Sequence, residues 1–343
     1  LPRETTATNA LKTSVTLFSC KYISGFMYRS SLIITSFLIL SINLVIYGQS
    51  RETRKFIKEV KSTINEKSIV AENMDWAEID KELSSIPFTG NHEIDKENVY
   101  GVLERSLKNA GDNHSVFLSR QVSSEITRIQ KENVYATSKY LDSNIGYLKI
   151  PHCITFDYQK DLEFADTIIK QIEKLDAFEI DKWIIDLRDN SGGNVWPMLS
   201  GLTPIIGDGL INYSIAKSKE TPNYIKQGSI SNYKASTVVY NTKRKFKKIA
   251  VLVNQHTASS GEMLAISLLG FENTRVFGYK TRGLTTFNST FSFKEGTMLF
   301  LATGFMADKN KKIYRNGITP DMFLENDLSD VDILDKLIKW LNE

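Results

Sequence analysis

The chain has 343 residues, 41% of them hydrophobic and 24% charged. That excludes a disordered, collagen-like or coiled-coil protein and leaves room for one large domain or two modest ones. Two cysteines, Cys20 and Cys153, cannot build a disulfide framework or a cysteine-type zinc site. The net charge of +3 gives no support to nucleic-acid binding. Arg3, Lys12, Lys21 and Arg29 against Glu4 supply all of it, and the rest of the chain balances.

Residues 32–47 are an uncharged apolar run between Arg29 and Gly48. A basic start, a short apolar stretch and a small residue predict a secretory signal. An uncleaved membrane anchor is the second reading, since the run falls slightly short of the roughly 20 residues a span needs. Met27 stands where such a signal would begin, which would leave residues 1–26 as upstream sequence. The expected organisation is a leader over 1–48, a helical subdomain over 49–112 and a core over 113–343. An exported remainder with Cys153 as its one cysteine leans on no disulfide.

Apolar residues at helical spacing predict helices over 51–66 (Phe56, Ile57, Val60, Ile64), 75–85 (Trp76, Ile79, Leu83) and 95–109 (Val99, Val102, Leu103, Leu107). Gly111-Asp112-Asn113 ends this unit as a turn. Residues 145–150 then read as a strand, 159–175 as an amphipathic helix and 183–187 as a buried parallel strand. Strand, helix, strand predicts a right-handed crossover. Residues 248–254 predict another buried strand, followed by a helix from about 260 to 270. A hairpin is expected over 287–293 and 297–305 around Glu295-Gly296, and a closing amphipathic helix over 330–341. The fold class is mixed α/β.

Three places carry possible chemistry. Thr257-Ala258-Ser259-Ser260-Gly261-Glu262-Met263 lies between a strand and a helix. A serine there meets unpaired backbone N–H groups and the positive end of the helix dipole, which favour an alkoxide and an oxyanion. Ser259-x-x-Glu262 is equally a capping box, which needs no catalysis. Arg188-Asp189-Asn190-Ser191-Gly192-Gly193-Asn194 follows the 183–187 strand. Its glycines let backbone approach a ligand, or make a plain turn. The spacing is not that of a phosphate or dinucleotide loop. The third place is the histidines: His92, His114, His152 and His256. A serine nucleophile needs a base in hydrogen-bond reach, commonly from another segment. His114, in a turn between the helical unit and the core, is the best positioned. His256 shares the turn of Ser259, where its ring would point sideways.

Taken together these segments resemble the tail-specific, or carboxy-terminal processing, serine peptidases. That family shows Ile-Asp-Leu-Arg-x-Asn-x-Gly-Gly, matched at residues 185–193. It shows Thr/Ser-Ala-Ser-x-x-Glu, matched at 257–262, and Gly-Ile-x-Pro-Asp, matched at 317–321. With Asp112-Asn113-His114-Ser115 the similarity spans about 210 residues. The resemblance implies a Clp-protease/crotonase-like core with Ser259 as nucleophile. It implies an oxyanion hole at Gly193 and the Ser260 N–H, with Gly192 beside them, and Asn194, Val195 and Trp196 facing the substrate. It implies peptide or protein C-terminal segments as partners, no cofactor and no metal. Membrane association would run through residues 32–47.

The Ser-Lys members of the family carry a lysine where this chain has Leu284. The Ser-His, tricorn-like branch takes its base from the Asp-x-His segment, which His114 matches. That branch often adds a glutamate near the place of Tyr314, so the group that orients His114 stays open: Ser115, Asn113 or a backbone carbonyl. Residues 116–144 are too few for the PDZ module many members carry. The missing module, the leader and the Thr-Ala-Ser-Ser-Gly-Glu-Met turn look like the nisin-resistance group, whose members remove the tail of a lantibiotic peptide. A peptide-binding module on the same fold, without turnover, is the competing expectation. A crotonase-like acyl-thioester enzyme is disfavoured by the export signal.

Overall fold

The computed structural model describes residues 48–343 apart from 131–133, 156, 218, 232, 234–235, 237, 295 and 326–327. The apolar run at 32–47 lies outside the described residues. Among the described residues, no helix is long and apolar enough to cross a membrane.

Three helices come first: α1 (Arg51–Lys67), α2 (Trp76–Ser84) and α3 (His92–Asn109). Each starts at a side-chain cap, from Ser50, Asp75 and Asn91 respectively. Their apolar stripes bury Phe56, Val60, Ile64, Ile79, Leu83, Leu103 and Leu107. That cluster closes on Phe117, Leu299 and Leu301, so the helices pack on the strands that follow.

The expected crossover is β3 (Ile145–Lys149), α5 (Tyr158–Asp176) and β4 (Lys182–Asp186), with β3 and β4 parallel. The sheet continues in parallel through β8 (Lys248–Val253), β9 (Thr274–Gly278) and β12 (Met322–Phe323). It ends on the other side at the antiparallel β2 (Thr137–Leu141). Alternate residues of its central strands serve different cores. Trp183, Ile185, Val251 and Val253 pack with α5, α6 (Val195–Gly201) and α8 (Ser260–Leu269). Ile184, Ala250 and Leu252 pack with the closing helix α9 (Asp330–Asn342). Two covered faces explain why these strands read as continuous apolar runs.

The second sheet is antiparallel, in the order β1 (Val116–Phe117), β11 (Met298–Asp308), β5 (Gly209–Ala216), β6 (Lys219–Lys226), β7 (Ser229–Ile230). The expected hairpin is β10 (Thr286–Ser292) paired with β11. Between β1 and β3 the described residues form the helix α4 (Arg120–Gln130) and β2. A short helix, α7 (Thr203–Ile206), links α6 to β5. Strand β8 leads into α8 at the ends of β3 and β4, and β10 brings the second sheet to the same place.

Candidate active site

The turn between β8 and α8 is tightly held. The Asn254 carboxamide oxygen accepts from the N–H groups of His256 and Thr257, both at 3.1 Å. The Thr257 hydroxyl donates to the Leu187 carbonyl at 2.8 Å. Ser259 then takes φ 52° and ψ −120° at the N-cap of α8. A non-glycine residue in such a conformation persists only where its surroundings enforce it.

Glu262 supplies much of that enforcement. It is fully buried. Its carboxylate accepts from the N–H groups of Ser259 (3.0 Å), Leu284 (2.7 Å) and Gly283 (2.8 Å) and from the Thr281 hydroxyl (2.5 Å). Burial raises its pKa, and the four hydrogen bonds oppose the rise. Thr281 is itself paired to Ile318, whose N–H donates to the Thr281 hydroxyl at 2.8 Å. The Gly-Ile-x-Pro-Asp stretch therefore braces the 281–284 loop, the loop holds Glu262, and Glu262 holds the backbone of Ser259. The glutamate half of the expected capping box is present, while the Ser259 hydroxyl meets a histidine.

That histidine is His114. Its Nε2 lies 2.9 Å from Ser259 Oγ, across 145 residues of sequence. The segment is shaped by Asp112, whose carboxylate accepts from the N–H groups of His114 (2.9 Å) and Ser115 (3.0 Å) and from the Ser115 hydroxyl (2.5 Å). The group on His114 Nδ1 is the hydroxyl of Thr286, at 2.7 Å. Neither Ser115 nor Asn113, both expected candidates, holds the ring; the Thr286 hydroxyl does, with the Thr286 backbone also acting on it. Ser115 is turned to Asp112 and to the Ala302 N–H. Tyr314 donates to Asp308 instead. Burial lowers the pKa of His114, against weaker upward pushes from the Asp112 charge and a hydrogen bond to the Thr286 backbone. A neutral ring that donates from Nδ1 to Thr286 leaves Nε2 able to accept the Ser259 proton.

Asn190 pins the loop after β4. It donates to the Ile150 and Pro151 carbonyls at 3.1 and 3.0 Å, and its side-chain oxygen accepts from the Gly192 N–H at 3.0 Å. Gly192, expected in the oxyanion hole, thus has its N–H committed. Its contribution is steric: a Cβ there would stand 2.7 Å from the Ser259 Cβ. At Gly193 a Cβ would stand 2.1 Å from the Cys153 carbonyl oxygen, at a φ of 105°. The Ser260 hydroxyl donates to the Gly193 carbonyl at 2.6 Å, joining the glycine loop to the start of α8. Ser259, His114, Gly193 and Ser260 are therefore together.

Asn194, Val195 and Trp196 are less available than expected. Asn194 caps α6 through the Trp196 N–H and donates to Asp161 at 2.9 Å. Val195 is only 6% exposed. Trp196 is half-buried, with its ring 6.3 Å from that of Tyr233. Of the other histidines, His92 lies 3.1 Å from the Thr53 hydroxyl, His152 is half-buried, and His256 is exposed on its turn. Thr286 and Asn190 were missed as site residues. The signal for Thr286 was its place in Gly283-Leu284-Thr285-Thr286, the segment from which the Ser-Lys branch draws its base.

Two neighbouring cavities lie near the His114 segment. One of about 330 Å³ is lined by His114, Thr286, Leu284 and Arg315. The other, about 590 Å³, shares Asp112, Asn113, Gly283, Leu284 and Asn316 with it.

A sequence model described as Peptidase family S41 matches residues 144–324. The nisin-resistance protein of Lactococcus lactis subsp. lactis is 28% identical over 285 residues, 82% of this chain and 86% of that protein. The chloroplastic carboxyl-terminal-processing peptidase 2 of Arabidopsis thaliana is 28% identical over 178 residues, 52% of this chain but only 31% of that protein. Among solved structures, a lipoprotein from Streptococcus agalactiae superposes with a TM-score of 0.70 at 23% identity, over 88% of this chain and 99% of that one. The photosystem II D1 C-terminal processing protease superposes with a TM-score of 0.55 at 12% identity, over 84% and 96%. The mixed sheets and helices thus form the Clp-protease/crotonase-like core expected from the sequence.

Proposed function

The chain belongs to Peptidase family S41, and from that premise we propose that it is an exported serine peptidase that cuts peptide bonds near the C-terminus of peptide or protein substrates. The observation that carries the reading is the 2.9 Å approach of His114 Nε2 to Ser259 Oγ. That is hydrogen-bond reach for a general base. Export and residence at the cell envelope rest on the basic and apolar leader over residues 29–47. A tail as substrate follows the carboxyl-terminal-processing relatives.

In this mechanism His114 takes the Ser259 proton as the oxygen attacks the scissile carbonyl. The N–H groups of Gly193 and Ser260 receive the oxyanion. His114 then gives the proton to the leaving amine, and in the second half it activates the water that frees the acyl group. General-base catalysis contributes about 10²–10⁴-fold and one oxyanion donor about 10²–10³-fold. Thr286 keeps the ring in register, and Glu262 keeps Ser259 in its strained conformation.

The test is labelling of the full chain with a fluorophosphonate serine probe, beside Ser259→Ala and His114→Ala. Labelling of the unsubstituted chain alone supports an activated serine with His114 as its base. A folded chain that takes no label would favour the peptide-binding module and sink the peptidase reading.

A further inference from the structure

The N–H of Gly193 has no partner among the described residues, while the backbone groups on either side of it are committed. The Gly192 carbonyl accepts from the Cys153 N–H at 3.0 Å, and the Asn194 N–H donates to the Cys153 carbonyl at 2.7 Å. The Gly193 carbonyl takes the Ser260 hydroxyl. In a planar trans peptide the N–H points opposite to the preceding carbonyl. With the Gly192 carbonyl turned to Cys153, the Gly193 N–H is turned away from it. The backbone of Cys153 thus aims the Gly193 N–H for as long as Asn194 stays seated against it.

Asp161 grips Asn194 a second time. It stands in the first turn of α5, the helix that follows the Cys153 segment. Its Oδ2 accepts from the Asn194 side-chain amide at 2.9 Å and from the Tyr233 hydroxyl at 2.8 Å. Tyr233 comes from the chain between β7 and β8, so three segments meet on one oxygen. Asn194 is therefore held at two points by one stretch of chain, the Cys153 carbonyl and the Asp161 carboxylate. Asp161 is 6% exposed, and among the described residues its Oδ1 has no partner and no lysine or arginine pairs with it. Burial raises its pKa, and the bonds from Tyr233 and Asn194 oppose the rise. A buried carboxylate with an idle oxygen and no cation costs stability, so stability does not explain its placement. What the placement achieves is the seating of Asn194. We propose that Asp161 is a positioning residue for the oxyanion hole, keeping the Gly193 N–H aimed at the reacting carbonyl through its hold on Asn194. This rests on the peptidase reading above.

The experiment measures fluorophosphonate labelling of the full chain, separated into its maximal rate and its half-saturating probe concentration, with Tm recorded for every variant. Asp161→Ala removes the acceptor. Asn194→Ser keeps an N-cap for α6 but is too short to reach Asp161. Each should lower the maximal rate by about 10- to 100-fold, within the loss of one oxyanion donor, and leave the half-saturating concentration nearly unchanged. The double variant should be no slower than the slower single, because both cut the same tether. Asp161→Asn keeps an acceptor oxygen for both donors and should recover most of the rate, whereas a purely structural role would rank the variants by Tm alone. If Asp161→Ala does not fold, Asn194→Ser and Asp161→Asn carry the same test. Labelling at the unsubstituted rate in a folded single variant, losses that multiply in the double, a change in half-saturation alone, or rates that only follow Tm would overturn the positioning role and leave the peptidase reading standing. An unsubstituted chain that takes no label overturns both.

Discussion

The hydroxyl of Thr286 lies 2.7 Å from Nδ1 of His114, on the side of the ring opposite Ser259. It occupies the place an orienting carboxylate takes in a three-member arrangement. A neutral hydroxyl fixes the tautomer but lends no charge to the imidazolium that forms in the transition state. Thr286→Val keeps the shape and removes the bond. Hydrogen bonds to charged groups are worth about 1.5–3 kcal/mol, so kcat should fall by roughly ten- to a hundredfold with KM nearly unchanged. Steady-state kinetics on one cleavable peptide separates the two parameters. An unchanged kcat would remove Thr286 from the machinery.

The pH profile follows from the burial of His114. The neutral ring is the active base, and burial lowers its pKa from the ordinary value of about 6.5. Activity is therefore kept as pH falls through 6.5 and is lost only when the pH passes the lowered value. Because the Asp112 charge pushes this pKa up, Asp112→Asn should move the acidic limb of kcat/KM to still lower pH. The rate of fluorophosphonate labelling against pH checks both directions without a known substrate. An acidic limb above 6.5 would contradict the burial argument.

Much of this arrangement could be read in the sequence, for identifiable reasons. The helices at 51–67, 158–176 and 330–342 have long apolar stripes, and the strands around Ile184 and Val251 are buried on both faces, so each leaves a strong pattern. Ser259 and His114 stood in recognisable motifs. The β5–β6 hairpin was missed because Lys219–Lys226 mixes exposed and buried positions with little apolar content. Helix α6 was missed because almost every residue from Val195 to Gly201 is buried, which erases a one-sided period. Thr286 reaches His114 from 172 residues away, a contact that no local pattern announces. Asn194 caps that same helix, so with α6 unread its N-cap role was unread as well.

Glu262 is the junction of three segments, and its substitution should be costly in stability. Glu262→Gln replaces one acceptor oxygen with a donor that faces N–H and O–H groups already donating. A buried mismatch of this kind costs about 1–3 kcal/mol. Thermal unfolding should show a drop in Tm of roughly 2–4 °C per kcal/mol lost. Labelling of Ser259 should slow in the same protein under conditions where it remains folded, because the N–H of Ser259 is no longer held. A variant with normal Tm and normal labelling would show that the strained turn is supported from elsewhere.

Gly192 tests how closely the glycine loop must approach the nucleophile. Gly192→Ala places a methyl 2.7 Å from the Ser259 Cβ and 3.1 Å from the Ser260 nitrogen, at a φ of 109° that alanine resists. The loop must move away, and Gly193 moves with it. The expected result is a folded protein with a lowered Tm and labelling reduced at least about a hundredfold, the loss of one oxyanion donor. Labelling at the unsubstituted rate would mean that Gly193 does not line the hole.

Adjacent serines make the last distinction. Ser260 donates its hydroxyl to the Gly193 carbonyl at 2.6 Å, whereas the Ser259 hydroxyl faces His114. Ser259→Ala removes the attacking oxygen and should cost about 10⁴-fold or more in kcat. Ser260→Ala keeps the backbone N–H that would serve the oxyanion and loses one hydrogen bond, worth about 0.5–1.5 kcal/mol. Its effect on kcat should stay within roughly tenfold. Mass spectrometry of the labelled peptide would place the phosphonate on Ser259 in the Ser260→Ala chain. Equal loss in the two variants, or a label carried by Ser260, would overturn the assignment of Ser259 as the nucleophile.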